Sequence, residues 1–167
     1  MPNSAPDANQ ALAQLLELLA ARFPDAGTLP QVVGIHTGGY WIAQRVAAHL
    51  GVTAAPGEID IGFHRDDYTD RALTRAPRPT RLGTAVQGRE ILLVDDVLFT
   101  GRTIRAALNA IFEFGRPARV WLAVLADRGG RQLPIRADFA GVELDLAADQ
   151  MLRLTGPEQL SFEVCPA

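Results

Sequence analysis

The run ILLVDDVLFTGRT, residues 91–103, limits what this chain can fold into more than any other stretch. Four apolar residues read as a buried strand, and Asp95 and Asp96 follow at once. Thr100-Gly101-Arg102-Thr103 then makes a small polar turn before a helical pattern through Ile104, Leu108, Ile111 and Phe112, stopped by Gly115 and Pro117. A strand that ends on two like charges and turns directly into a helix suits an open α/β sheet, whose ligands bind at the carboxyl ends of the strands. The two acids should therefore face a crevice. At the start of the helix, backbone donors, two hydroxyls and the positive end of the dipole converge on one point suited to a phosphate. Carboxylates beside such a point repel the ligand unless they accept hydrogen bonds from sugar hydroxyls or stand near a divalent cation. A phosphorylated ribose satisfies both halves, whereas a reading of the acids as helix caps leaves the turn unexplained.

The flanking sequence repeats the strand-turn-helix pattern. ALAQLLELLAARF spaces Leu12, Leu15, Leu16, Leu19 and Phe23 as one face of an amphipathic helix. QVVGIHTGGYWIAQRVAAHLG predicts a short strand, a turn at Thr37-Gly38-Gly39 and a helix ending before Gly51. GEIDIGFHRDD alternates Ile59, Ile61 and Phe63 as a strand, after which YTDRALTRAPRPTRLGTAVQG breaks all periodicity and reads as a mobile loop over residues 67–89. RVWLAVLADR is a further buried strand. Beyond it the pattern weakens to short strands and turns, a cap or sheet extension over the carboxyl ends of the core strands. Near-continuous apolar strands separated by helices predict a parallel sheet covered on both faces, within one domain over 1–167 that opens on a helical arm, residues 1–30.

Composition removes several chemistries. All 16 basic residues are arginine, so neither a Schiff-base lysine nor a P-loop lysine is available. Cys165 is the single cysteine, which excludes disulfide frameworks and CxxC sites and reads as a loosely held tail residue. A net charge of −3 gives no global attraction to nucleic acid or to an anionic membrane, and no apolar run reaches the ~18 residues a bilayer requires. A cytoplasmic protein is expected. Locally, Arg65, Arg71, Arg75, Arg78, Arg81 and Arg89 outnumber Asp66, Asp67 and Asp70. His36 and His64 read as structural, and Trp41 and Trp121 as core residues.

The run from Ile91 to Thr103 resembles the phosphoribosyl-pyrophosphate (PRPP) motif of type I phosphoribosyltransferases. Together with GEIDIGFHRDD, the stretch LVDDVLFTGRTIRAALNAIFEFGRPARVWLAVLADRGGRQLPIRADFAG extends the resemblance to the PyrR family, pyrimidine regulators that are also uracil phosphoribosyltransferases. The likeness implies the type I fold: a central, mostly parallel sheet flanked by helices, with a small hood and a flexible loop. It also implies transfer of 5-phosphoribose from PRPP to N1 of uracil, releasing pyrophosphate and giving UMP with the help of Mg2+. By the same resemblance, Asp95 and Asp96 hold the ribose hydroxyls and stand near the Mg2+ carried by PRPP. Thr100, Gly101, Arg102 and Thr103 bind the 5-phosphate, while Thr37, Gly38 and Gly39 bind pyrophosphate. Arg65 and Arg81 act from the loop that folds over PRPP, and Asp127, Arg128, Arg136, Ala137 and Asp138 frame the uracil. Homodimers or homotetramers and a regulatory role in pyrimidine synthesis are implied as well. Two positions depart from the family. Gly38 stands where an arginine is expected, which removes one charged contact to pyrophosphate; either His36 or Tyr40 compensates, or PRPP affinity is low. The first helix carries Arg22 as its one basic residue, which counts against RNA as a partner; neither DNA nor a membrane is expected. The rival reading is a regulator that keeps the fold, senses UMP or PRPP and acts through RNA or a protein partner with little or no turnover.

Overall fold

The computed structural model describes residues 4–61 and 79–167. Strands β1 (Gln31–Ile35), β2 (Gly57–Ile59), β3 (Glu90–Leu98), β4 (Arg119–Asp127) and β5 (Phe139–Glu143) form one sheet in the order β2-β1-β3-β4-β5, each neighbouring pair parallel. Helices α1 (Ala8–Arg22), α2 (Gly38–Leu50) and α3 (Arg102–Glu113) cover its faces. Central β3 is buried on both sides, which is why its sequence is a continuous apolar run. Leu92 and Val94 join the core with Leu15 and Leu19 of α1 and Ile42 and Val46 of α2. Ile91 and Leu93 join the opposite core with Ile104, Ala107 and Ile111 of α3. The period of two sends alternate side chains to opposite helical layers.

Helix α1 starts at Asp7, whose Oδ1 accepts hydrogen bonds from the Asn9 and Gln10 N–H groups at 2.8 and 3.1 Å. Leu15 and Leu19 are fully buried, Leu12 and Leu16 partly so, and Phe23 closes the stripe. The helix backbone lies so near β5 that a Cβ on Gly141 would collide with the Ala11 carbonyl oxygen and stand 2.8 Å from that of Leu125. Both neighbours are backbone and cannot rotate away. Gly141→Ala is therefore expected to cost about 1–3 kcal/mol, read as a lowered urea midpoint with an unchanged slope.

Several expectations are corrected. The strand predicted through Ile59, Ile61 and Phe63 ends at Ile59; Ile61 is partly buried on the α3 side, and Phe63 lies outside the described residues. The stretch read as loop as far as residue 89 is tied to the sheet from Arg81 onward. Arg81 bridges Glu58 through backbone bonds, and Leu82 and Val86 are buried in the α3-side core. Two apolar residues four apart anchor what otherwise looks like a polar connection. Phe112, read as part of the α3 stripe, is 56% exposed, because the buried face runs through 104, 107 and 111 and the next residue turns 100° away. Cys165 does not lie in a loose tail. Strands β6 (Gln150–Thr155) and β7 (Ser161–Pro166) form an antiparallel hairpin that pairs it with Met151. Leu152, Leu154, Leu160 and Phe162 seat this hairpin on the core beneath α1 and α2.

Candidate active site

The carboxyl end of β3 is where charge is buried. Asp95 and Asp96 are 2% and 7% exposed, the Asp95 Oδ1 accepting from the Asp96 N–H at 2.9 Å and the Asp96 Oδ1 from the Val97 N–H at 2.8 Å. The turn after β1 lies directly on this pair. A Cβ on Gly38 would collide with the Asp96 Oδ2 and stand 2.8 Å from its Cγ; one on Gly39 would meet the Val94 carbonyl oxygen at 2.7 Å and the Asp95 Oδ1 at 3.0 Å. Neither glycine has a positive φ. They are glycines because the start of α2 presses against the acids, and the positive end of that helix dipole offsets the buried negative charge. The same contact explains why Gly38 carries no side chain: the Asp96 carboxylate fills the room one would occupy.

Past the end of β3, Thr100 and Thr103 are buried, and Gly101 takes a φ of +94°, which glycine adopts without penalty, to swing the chain into α3. The Thr100 Oγ1 accepts from the Arg102 N–H at 3.2 Å, and the Thr100 carbonyl accepts from the Gln132 and Leu133 N–H groups at 2.9 and 3.1 Å. The turn is thus held from behind by the segment after β4, with its donors at the N-terminus of α3. That segment is itself braced. Arg131 Nη2 donates to both Asp127 carboxylate oxygens at 2.6 and 2.7 Å, and its Nη1 donates to the Phe99 carbonyl. Arg128 is buried, stacked 3.7 Å over the Phe99 ring, and its Nη2 donates to the Ala147 carbonyl at 3.3 Å, linking the turn to the connection between β5 and β6. Because β3 and β4 are in register at Leu98 and Asp127, these groups stand side by side at the strand ends.

Comparisons with known proteins give the family of a chain with this architecture. The phosphoribosyl transferase domain matches residues 3–151. The chain is 49% identical to the bifunctional protein PyrR of Nitrosococcus oceani over 81% of its own length and 77% of that protein's. To the PyrR of Pseudomonas aeruginosa it is 43% identical over 96% and 95%. The chain belongs to the PyrR family of phosphoribosyltransferases. Solved structures agree on the fold: a hypoxanthine-guanine phosphoribosyltransferase from Bacillus anthracis superposes with a TM-score of 0.64 at 16% identity, covering 85% of this chain and 84% of that one. A purine phosphoribosyltransferase from Pyrococcus horikoshii gives 0.59 at 21%, covering 81% and 83%.

In this PyrR-family chain the sequence-derived site residues separate into groups. Asp95, Asp96, Thr37, Gly38, Gly39 and the Thr100–Thr103 turn are brought together. The Arg102 N–H is taken by the Thr100 Oγ1, and its guanidinium donates to the Gln132 Oε1 at 3.0 and 3.1 Å. Asp127 and Arg128 stand beside them. Arg136 is exposed and lines an open cavity of about 690 Å3 with Asp127, Arg131, Glu143 and Asp145. Asp138 is not at the strand ends: its Oδ2 accepts from the Leu122 N–H at 2.8 Å and its own N–H donates to the Leu122 carbonyl, five residues upstream of Asp127. It splices β5 onto β4, and Ala137 before it packs on the α3-side core. Arg81 reaches Glu58 by backbone alone and is exposed, and Arg65 lies outside the described residues. Sequence reasoning missed the bracing by Arg131 and the stack of Arg128 on Phe99, because i, i+4 spacing implies contact only within a helix and this segment is a Gly-Gly turn. Among the described residues no three His, Cys, Asp or Glu side chains gather to hold a metal, and no helix is long and apolar enough to cross a membrane.

Proposed function

We propose that this chain is a uracil phosphoribosyltransferase, converting PRPP and uracil to UMP and pyrophosphate, with a regulatory role in pyrimidine synthesis. The observation that carries the reading is the direct packing of Asp95-Asp96 between the Thr37–Gly39 turn and the Thr100–Thr103 turn. A ribose seated on the two carboxylates directs its 5-phosphate toward one helix start and its 1-pyrophosphate toward the other. The carboxylates accept hydrogen bonds from the ribose hydroxyls, and the N–H groups of the α3 turn hold the phosphate. The N–H groups at the start of α2 stabilise the charge on the leaving pyrophosphate as the anomeric C–O bond breaks and the bond to N1 of uracil forms. Positioning and charge stabilisation supply the rate; the N1 proton of uracil passes to water or to the departing pyrophosphate as the new bond forms, so no side chain is required to remove it. Magnesium fits as a guest of the substrate, since two buried carboxylates suit an ion that draws its remaining ligands from water and phosphate oxygens. Bound there, it would neutralise pyrophosphate charge.

The uracil choice rests on the PyrR resemblance, with Asp127, Arg128 and Arg136 as candidates to frame the base. Helix α1 supports the enzymatic reading over RNA attenuation through that helix: Arg22, its basic residue, is stacked 4.6 Å from the Trp121 ring. Assembly as a homodimer or homotetramer belongs to the same proposal. Equilibrium titration with UMP beside OMP, GMP and IMP tests the base. UMP is expected to bind tightest, and a preference for a purine nucleotide or for OMP would contradict the reading.

A further inference from the structure

We infer that His36 and Glu58 are a positioning pair, completed by Tyr40, that holds the Thr37-Gly38-Gly39 turn in the geometry pyrophosphate requires. The inference rests on the reading of that turn as the pyrophosphate site. His36 follows β1 directly; its N–H donates to the Ile59 carbonyl at 2.8 Å and its side chain is buried. Nε2 lies 2.7 Å from the Glu58 Oε2, and the imidazole stacks on the Tyr40 ring with centroids 4.8 Å apart and planes 20° from parallel. His36 and Tyr40 immediately flank the three-residue turn, so the stack pins both of its ends. Glu58 is pinned in its own right, donating its N–H to the Arg81 carbonyl at 2.7 Å and accepting from the Arg81 N–H at 2.9 Å. The chain returning from the arginine-rich stretch is thus joined to the turn through one carboxylate and one imidazole.

The need for such a clamp follows from composition. Two successive glycines have the most backbone freedom to lose, and Gly38 and Gly39 have no side chains with which to fix themselves. The N–H groups of a turn bind an anion well only when ordering them costs nothing at the moment of binding. An imidazole held between a carboxylate and an aromatic face supplies that order from outside the turn, leaving the turn itself bare for the ligand.

The test is calorimetric titration with PRPP, pyrophosphate and UMP beside steady-state kinetics, on the unmodified chain, Glu58→Gln, His36→Gln, Tyr40→Leu and the Glu58→Gln/His36→Gln double variant. Glu58→Gln is expected to weaken PRPP and pyrophosphate about tenfold and to raise the KM for PRPP by the same factor, with kcat and UMP affinity within about twofold. UMP lacks the pyrophosphate and serves as the control for folding. The double variant should be no worse than the weaker single variant, because both remove one link. Unchanged PRPP and pyrophosphate affinity in Glu58→Gln and His36→Gln overturns the inference, as does an equal loss of UMP affinity. Should Glu58→Gln not fold, His36→Gln carries the same test. Absence of PRPP binding by the unmodified chain would instead overturn the assignment of the turn, whatever the variants do.

Discussion

The Asp96→Asn variant is expected to lose about two orders of magnitude in kcat/KM for PRPP. Asp96 is buried, one carboxylate oxygen accepts from the Val97 N–H, and the other faces the Gly38 turn. An amide of the same shape keeps the first bond and deletes the charge. A hydrogen bond to an ionised acceptor is worth about 1.5–3 kcal/mol, and the positive character that grows on the ribose as pyrophosphate leaves makes the charge count for more in the transition state. UMP keeps the ribose hydroxyls, so its affinity should fall too, by about tenfold. The exposed Asp149 is the control: Asp149→Asn should change neither quantity. Equal losses from both variants would remove the acid pair from the site.

Gly39→Ala tests the same architecture from the opposite side. The added methyl would stand 2.7 Å from the Val94 carbonyl oxygen and 2.9 Å from the Asp95 Cα, both backbone of the central strand. Neither can move without disturbing β3, so the start of α2 must lift. We expect a stability loss of about 2–3 kcal/mol in urea titration and a fall of about 10²-fold in kcat/KM, since a displacement near 1 Å suffices for that. The ligands should divide. Pyrophosphate and PRPP, which use the α2 turn, should weaken more than UMP, which does not. A uniform loss across all three would mean that the turn supports the fold without contacting the ligand.

How far the sequence discloses this arrangement depends on whether each signal is local. β3 was legible because a strand buried on both faces must be continuously apolar, and the acid pair because charges directly after such a run have few uses. The Thr100–Thr103 turn and α3 followed from chain order alone. Asp138 was misplaced because its partner, Leu122, is set by the register of β5 on β4, which no local pattern reveals. Leu82 and Val86 were hidden in a polar stretch, too sparse to show periodicity, although both reach the core. Gly38 and Gly39 were marked as a turn, but the reason for their bareness is the carboxylate packing of residues more than fifty positions away. The pairing of His36 with Glu58 bridges 22 residues and two strands, and neither residue carries a mark of it in the sequence.

The most direct measurement is UMP formation by the purified chain from PRPP, Mg2+ and uracil, run beside orotate, guanine and hypoxanthine. Turnover with uracil and with none of the other bases is the result this account predicts, and it would show that a pyrophosphate turn without an arginine at position 38 supports catalysis. No turnover with any base, from folded protein that still binds UMP or PRPP, would contradict it: the acid pair and both turns would then form a sensor's binding site and not an active site.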